Sequence, residues 1–447
     1  MNLAFPEILA MLLLLPQGLS SGVFTNLLME SLCMRVNNMT YEVCSHVELI
    51  PHDMQKIIQP QVNWLLNWKV LIETFLPACC VVFLGPWSDA HGRRPLIIAS
   101  LLGQFLYFTI LSVLVLFKNV LPAEYYLLAA IPVGISGGFS VFFLSVVCFI
   151  TDRTPDENRA FKMGTFEAGC MLGSLIAQLL TARVSRGPHG FQITFLISSV
   201  TCLTNLLYAI IFIPESANLS QDVQQVQLLD LFRTISKKRP MHRRALLYLL
   251  ILANTAFIII IFGESDIFYQ SAIKRFQWSL QQFSNLNSVS LVVSGSVLVI
   301  GTYVFKFFKL SDMTAALIVV APRILSSFMN FYAPTDHWLY GAAALGCIST
   351  LITPFYRTAV SKIVPSEELG KVFAVIMFTE ALVPSISSNI YTFAYNSVIH
   401  TQPSAIFLFS FGFASFSFIM LLIGCLIELR YPYECTSEQK PGSARNE

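Results

Sequence analysis

The sequence predicts an all-α integral membrane protein with twelve transmembrane helices arranged as two six-helix pseudo-repeats. Hydrophobic residues make up 55% of the 447 residues and charged residues only 12%, whereas soluble domains carry about 25% charged residues. The mean hydropathy of +0.65 agrees with this composition, so the lipid bilayer is the expected solvent. Long apolar runs separated by short polar loops, with one longer polar segment near the middle, predict the number of helices and the two halves.

Twelve segments meet the requirement of about 20 mostly apolar residues for crossing a bilayer. They are residues 6–30, 65–86, 96–117, 124–150, 162–183, 191–213, 245–269, 284–305, 312–332, 337–357, 371–395 and 405–428. The tenth and eleventh segments are the weakest of these predictions because they are rich in Ser, Thr and Gly. These residue types are common where membrane helices contact each other, so both segments remain predicted spans.

The longer polar segment divides the chain. We predict an N-terminal six-helix half at 1–213, a cytoplasmic linker at 214–244, a C-terminal six-helix half at 245–428 and a cytoplasmic tail at 429–447. Most of the 28 Lys and Arg residues fall in the linker, in the tail and in the loops that follow even-numbered helices. Because such residues concentrate on the cytoplasmic side of a membrane, both termini are predicted to be cytoplasmic.

The loop between the first and second predicted helices then faces the opposite, oxidising side of the membrane. It contains Asn38-Met39-Thr40, an acceptor sequence for N-glycosylation. Cys33 and Cys44 flank this sequence, and cysteines on the oxidising side are candidates for a disulfide. The alternative is that Cys33 belongs to the first helix.

The segment GPWSDAHGRRP joins the second and third predicted helices and carries an unusual concentration of charge. Its spacing is Gly-x-x-x-Asp-x-x-Gly-Arg-Arg, formed by Gly85, Asp89, Gly92, Arg93 and Arg94. The two glycines permit a close helix contact and a tight turn, and the aspartate suits the positive end of a helix dipole. The spacing therefore indicates a latch between helices; the alternative is a basic turn that only sets topology.

This segment resembles the loop signature of the major facilitator superfamily. Together with DRTPDENRAFKMGTFEAGCMLGSL, GESDI and TPFYRTAVSKIVPSEELGKVF, it is similar to the solute carrier family that contains the proton-coupled folate transporter, from about Leu71 to Ile427. The resemblance implies the major facilitator fold, with Asp89 docked against the start of the eleventh helix to hold a cytoplasmic gate shut. The matching segment 305–312 lacks the pattern, so a single latch is expected.

Charged side chains within the predicted helices are candidate functional residues, because placing one at the bilayer centre costs about 2.5–3.5 kcal/mol. They are Glu73, Glu167, Glu264, Asp266, Arg323, Arg357 and Glu380. The alternative for each is a structural ion pair or a position nearer the membrane surface.

The resemblance assigns roles to some of these residues. It implies that Glu167 couples solute movement to protons, a role that suits a carboxylate able to bind and release a proton. It also implies that Arg357 affects solute binding, and a planar guanidinium matches a carboxylate on the solute. Glu380 on the eleventh helix is also predicted to bind solute, and it is a candidate partner of Arg357. For Glu167 and Arg357 the alternative is a structural role. For Arg357 that role is that of an arginine at the membrane surface which helps to set topology.

The seventh helix departs from the folate carrier, which has a histidine before the shared Gly-x-x-Asp-Ile pattern, whereas this helix contains none. This difference leaves both folate and proton sensitivity in question. Glu264 and Asp266 are predicted to bind solute as an outer-gate hydrogen-bonding site; the alternative is a solvated helix end. Arg323 is expected to form a structural ion pair.

The predicted function is secondary active transport of a carboxylate-bearing organic solute, such as a folate, a peptidoglycan fragment or a conjugate, with a proton as coupling ion. One alternative is a facilitative or exporting carrier of a neutral or steroid-like solute, and another is a non-transporting solute receptor. The expected partners are the solute and membrane lipid, in the plasma membrane or an endolysosomal membrane. No enzymatic motif, metal site, cofactor, nucleic acid or obligate protein partner is indicated by the sequence.

The glycosylation sequence gives the first testable prediction. Because loop 31–64 is predicted to face the lumen or exterior, an N-glycosidase should increase the gel mobility of the wild-type protein expressed in eukaryotic cells. Asn38→Gln should already run at the faster position and should not shift further. A full shift in Asn38→Gln would place the glycan elsewhere and contradict the prediction.

Overall fold

The computed structural model describes residues 5–36, 44, 52–118, 120–184, 189–216, 233–239, 242–278, 280–365, 368–398 and 402–431. Asn38 lies outside these residues, as do the predicted tail beyond residue 431 and much of the predicted linker. Within them, twelve helices are long and apolar enough to cross a membrane. The predicted fold class is confirmed, including the tenth and eleventh spans.

The first six spanning helices are numbered α1 to α6. They are α1 (Pro6–Val36), α2 (His52–Val70, continued by the π-helical turn Leu71–Phe75 and by Leu76–His91), α3 (Arg94–Leu116), α4 (Ala123–Ala129, Ala130–Ser136 and Gly138–Arg153), α5 (Asp156–Val184) and α6 (Gly190–Phe212). The breaks in α4 follow from a short 3-10 segment at its start and from Gly137, which has a φ of 83°.

The last six helices repeat the arrangement. They are α7 (Arg243–Phe276), α8 (Leu280–Phe307), α9 (Asp312–Tyr332), α10 (His337–Ile348, Ser349–Leu351 and Ile352–Ile363), α11 (Leu369–Val398) and α12 (Ile406–Arg430). In the first half α1 packs on α5 and α3 packs on α6, and in the second half α7 packs on α11 and α9 packs on α12. The matching pairs make the two halves pseudo-repeats. The halves meet mainly where α2 packs on α11 and α5 packs on α8.

The α2–α11 contact is a crossing of two helix backbones. A Cβ atom placed on Gly85 would lie 2.5 Å from the Ala374 Cβ and 2.6 Å from the Gly370 carbonyl oxygen. Glycine is therefore the only residue that lets the helices approach this closely. Because Asp89 follows Gly85 by one helical turn, the crossing brings the Asp89 carboxylate to the start of α11.

The loop after α1 is closed by a disulfide. Cys33 lies in the last turn of α1, and its sulfur is bonded to Cys44, with the two Cα atoms 5.7 Å apart. Both alternatives drawn from the sequence therefore hold together, since Cys33 is helical and also paired. Both cysteines are fully buried, and the bond ties residue 44 to the end of α1.

The glycine crossing predicts a strong effect of added side-chain volume. Gly85→Val should force α2 and α11 apart at their crossing, because neither Ala374 nor the Gly370 backbone can yield. Spin labels on the two helices should report a longer or broader distance distribution than in wild type. Gly412→Val is the matched control, since nothing lies within 4 Å of a Cβ at Gly412. Unchanged distances in Gly85→Val would contradict the proposed contact.

Candidate functional site

A cavity of about 550 Å³ lies between the two halves. Its lining residues are Val70, Glu73, Thr74, Phe139, Ser140, Phe143, Glu167, Asn254, Phe257, Ile258, Ile261, Phe262, Thr353, Arg357, Met377, Glu380, Ala381 and Pro384. They come from α2, α4 and α5 of the first half and from α7, α10 and α11 of the second half. The cavity therefore combines aromatic walls with four ionisable side chains, and it draws them from both halves.

Arg357 is the centre of the charged part of this cavity. Its Nη1 donates a hydrogen bond to Oε1 of Glu167, and its Nη2 donates to Oε2 of Glu380 at 3.0 Å. Asn254 on α7 donates its amide Nδ2 to the other oxygen of Glu380, also at 3.0 Å. The guanidinium carbon lies 5.7 Å from the centroid of the Phe143 ring. The structure thus brings together three residues that sequence reasoning singled out separately, Glu167, Arg357 and Glu380.

The Glu167–Arg357 ion pair joins the two halves, because Glu167 belongs to α5 and Arg357 to α10. Arg357 is only 5% exposed, and a buried charge of this kind is tolerated only when opposite charges neutralise it. Two carboxylates share one guanidinium, so the cluster carries a surplus negative charge. Loss of either carboxylate charge would leave a one-to-one pair, which means that the cluster can accept one proton without stranding Arg357.

Glu264 lies apart from this cavity. On α7 it forms an ion pair with Nη2 of Arg323 on α9, and it accepts a hydrogen bond from Ser327 Oγ at 3.3 Å. All three residues are in the second half, and Glu264 does not line the cavity. This placement argues against the predicted solute-binding role of Glu264 and agrees with the expected structural pair of Arg323. Asp266 is part of the α7 backbone, and its side chain lies outside the described part of the chain.

The latch predicted from GPWSDAHGRRP closes one side of the bundle, here called the latch side. Oδ1 of Asp89 accepts a hydrogen bond from the Gly370 N–H at 3.0 Å, in the first turn of α11. Arg93 Nη2 lies 2.7 Å from the same oxygen, and Arg93 Nε lies 3.3 Å from Oδ2 of Asp152 at the end of α4. The carboxylate thus neutralises the positive end of α11 while Arg93 holds it in place. Gly92 has a φ of 103°, which allows the turn.

Glu215, just after α6, is also part of the latch, and sequence reasoning did not identify it. Its carboxylate oxygens accept hydrogen bonds from two backbone N–H groups at the start of α3, that of Arg93 at an N–O distance of 2.7 Å and that of Arg94 at 3.2 Å. Arg153 donates to the Glu215 carbonyl at 2.5 Å. The Arg94 side chain donates instead to the Ile210 carbonyl on α6, at 2.6 Å. The sequence signal was the acidic residue after an apolar helix, but its partner is more than a hundred residues away.

Further polar contacts cross between the halves on the latch side, where only one latch was expected. Lys306 on α8 donates to Oδ1 of Asn158 on α5, and Arg159 Nη1 donates to Ser361 Oγ at 3.0 Å. The Lys306–Asn158 contact between α8 and α5 occupies the pseudo-symmetric position of the Asp89 contact between α2 and α11, with a cation and an amide in place of the carboxylate and the backbone N–H. The α5–α8 boundary is therefore closed by different chemistry from the α2–α11 boundary.

The described linker residues 233–239 attach to the start of α11. Lys237 Nζ lies 2.5 Å from one oxygen of Glu368, and Arg239 Nη2 lies 2.8 Å from the other. Glu368 precedes Gly370 by two residues. The linker therefore forms ion pairs at the same end of α11 that donates a hydrogen bond to Asp89.

Comparisons with known proteins agree with this architecture. The family model described as Major Facilitator Superfamily matches residues 45–388. The chain is 28% identical to the "probable peptidoglycan muropeptide transporter SLC46" of Drosophila melanogaster, over 90% of this chain and 81% of that protein. It is 26% identical to the mouse "lysosomal proton-coupled steroid conjugate and bile acid symporter SLC46A3", over 78% and 77% of the two chains. It is 23% identical to the rat "proton-coupled folate transporter", over 74% and 72%.

Solved structures share the fold. The human organic anion transporter MFSD10 (TETRAN) superposes with a TM-score of 0.71 at 16% identity, over 93% of this chain and 98% of that one. FucP in the outward conformation superposes with a TM-score of 0.69 at 10% identity, over 95% and 99% of the two chains.

The Glu264–Arg323 pair yields a prediction about stability. Glu264→Gln should lower the free energy of unfolding by about 3 kcal/mol, because it leaves the largely buried Arg323, whose side chain is 12% exposed, without its counter-charge. The double variant Glu264→Gln with Arg323→Met should recover much of this loss. Thermal unfolding in detergent measures both. If the single variant unfolds like wild type but loses solute binding, Glu264 binds solute after all.

Proposed function

The chain belongs to the major facilitator superfamily, and on this basis we propose that it is a proton-coupled transporter of a carboxylate-bearing organic solute. The observation that carries the proposal is the Arg357 cluster, in which a cavity-lining guanidinium is held by one carboxylate from each half. A solute carboxylate and the Glu167 carboxylate compete for the same donor. Coupling follows from that competition.

The transport step can be written from these residues. A proton binds the carboxylate of Glu167, which removes its charge and weakens its hold on Arg357 Nη1. The carboxylate of the solute then accepts a charge-assisted hydrogen bond from the freed Nη1 of Arg357. Glu380 and Asn254 keep the arginine oriented throughout. Protonated Glu167 and the bound solute together replace the Glu167–Arg357 ion pair that linked the halves. The halves then rock about the cavity and expose it to the other side of the membrane.

Two relatives support the proton as coupling ion, because their names describe them as proton-coupled. The names of these relatives and of the muropeptide transporter also describe solutes from several chemical classes. In this chain the aromatic walls formed by Phe139, Phe143, Phe257 and Phe262 suit a solute with a sizeable apolar body. We propose that both termini are cytoplasmic, with the latch on the cytoplasmic side, in the plasma membrane or an endolysosomal membrane.

A second candidate function is facilitated movement or export of a neutral, steroid-like solute. The same aromatic walls favour it, and in that case the Glu167–Arg357 pair would only hold the halves together. Uptake of a mixed solute library into proteoliposomes, read by mass spectrometry with and without an inward proton gradient, separates the two. Accumulation of carboxylates above equilibrium supports coupling, whereas equilibration of neutral solutes at the same rate in both conditions supports the second candidate.

Glu167→Gln tests the coupling residue directly. An inward gradient of about one pH unit can concentrate a solute up to about tenfold when one proton moves with it. In Glu167→Gln this accumulation should disappear, while exchange of labelled for unlabelled solute continues, because the amide retains the cavity but carries no exchangeable charge. Glu157→Gln, an exposed residue on the same helix, is the control and should behave as wild type. Unchanged accumulation in Glu167→Gln would refute the coupling role.

A further inference from the structure

Glu73 is an ionisable residue of the cavity to which the proposed transport step gives no role. It lies in the π-helical turn Leu71–Phe75 of α2 and lines the cavity from the first half. Such turns insert an extra residue into an α-helix and shift its faces by about 100°, and they occur frequently at functional sites. Arg357 and Glu380 line the cavity from the second half. The cavity therefore has two charged regions, one on each half.

Groups from its own half hold Glu73 in place. Lys69, one turn earlier on α2, places its Nζ 2.6 Å from Oε2 of Glu73. The buried Tyr107 of α3 lies beside this ion pair. The Lys69 ammonium also lies 5.4 Å from the centre of the Phe24 ring and 5.7 Å from that of Tyr107. Neither Lys69 nor Tyr107 lines the cavity, whereas Glu73 does.

The charges that line the cavity are unbalanced. Glu73, Glu167 and Glu380 are acidic, and Arg357 is the one basic residue among the lining side chains. Two of the three carboxylates already bind Arg357. A solute that carries only negative charge would be repelled by the Glu73 carboxylate. The one basic lining residue, Arg357, does not offset this repulsion because it already binds the other two carboxylates. A solute that also carries an ammonium group would complement both charged regions of the cavity. The ammonium would pair with Glu73, since a carboxylate fixed by its neighbours is a strong acceptor for such a donor.

We propose that Glu73 binds an amino group of the transported solute while Arg357 receives its carboxylate, so that the substrates are amino-carboxylates with an apolar body. The inference rests on the proposed transport function and extends it to a substrate class. The ammonium donates a hydrogen bond to the Glu73 carboxylate, which lines the cavity and is held by its ion pair with Lys69. Phe139 and Phe143 of α4 supply the apolar surface of the same cavity.

Matched ligands test the assignment on the full-length protein in detergent. The probes are a lysine-containing muropeptide with its side-chain amine free and the same muropeptide acetylated at that amine, both retaining their carboxylates. Wild type should bind the free amine about tenfold or more tightly than the acetylated form, because acetylation removes a charge-assisted hydrogen bond. In Glu73→Gln the preference should fall to about twofold or less, with the affinity for the acetylated form unchanged.

Lys69→Gln separates recognition from structural pairing. This variant keeps Glu73 and removes its competing cation, so the preference for the free amine should persist or increase. If the pair were only structural, Glu73→Gln and Lys69→Gln would weaken both probes alike. Wild type that binds neither probe, or both equally, overturns the inference.

The proposed function is judged by separate results. Proton-driven accumulation of carboxylates by a wild-type protein that binds the free-amine and acetylated probes equally would sustain it while overturning the role of Glu73. Arg357→Ala should weaken both muropeptide forms, and binding of both that is unchanged in Arg357→Ala would count against the carboxylate site instead.

Discussion

The burial of one guanidinium within the membrane is the constraint on which the rest of the cavity depends. Arg357 is nearly inaccessible, and an unpaired charge at that depth would cost several kcal/mol. The chain meets the cost with two carboxylates, one from each half, and with Asn254, which fixes the second of them. Because one partner is on α5 and the other on α11, the charge requirement also determines how the halves meet around the cavity. Any motion that separates the halves also separates Glu167 from Arg357, so another group must first take over the hydrogen bond that Arg357 donates to Glu167.

The latch side solves a different problem with related chemistry. There the positive ends of α11 and α3 are met by carboxylates, Asp89 for the first and Glu215 for the second. Helix ends offer unsatisfied N–H groups and a favourable dipole, so each contact gains a hydrogen bond and an electrostatic term at once. The crossing of Gly85 and Gly370 makes this geometry available, because larger residues would hold the Asp89 carboxylate away from the Gly370 N–H that donates to it. Backbone shape thus decides which charges can pair.

Much of the architecture was predictable because membrane spans and latch spacing are local signals. Twelve apolar runs and the Gly-Asp-Gly-Arg-Arg spacing each lie within one stretch of sequence, and periodicity or composition suffices to find them. The partners were not predictable, since Glu264 and Arg323 or Arg93 and Glu215 are brought together by helix packing across long sequence separations. Glu73 was visible as a charge in an apolar run, but the π-helical turn that contains it leaves no mark in the sequence pattern. Asn254, being neutral, offered no signal before its bond to Glu380 was seen.

The attachment of the linker to Glu368 bears on how the protein responds to its ionic surroundings. The Lys237 side chain is 61% exposed, whereas that of Arg239 is 6% exposed. Mobile ions screen exposed charges over roughly 8 Å at physiological ionic strength but reach buried ones poorly. Added salt therefore weakens one of the two cations on Glu368 and leaves the other almost untouched. We therefore expect residues 233–239 to stay attached to α11 in dilute and concentrated electrolyte alike, and to move with the second half.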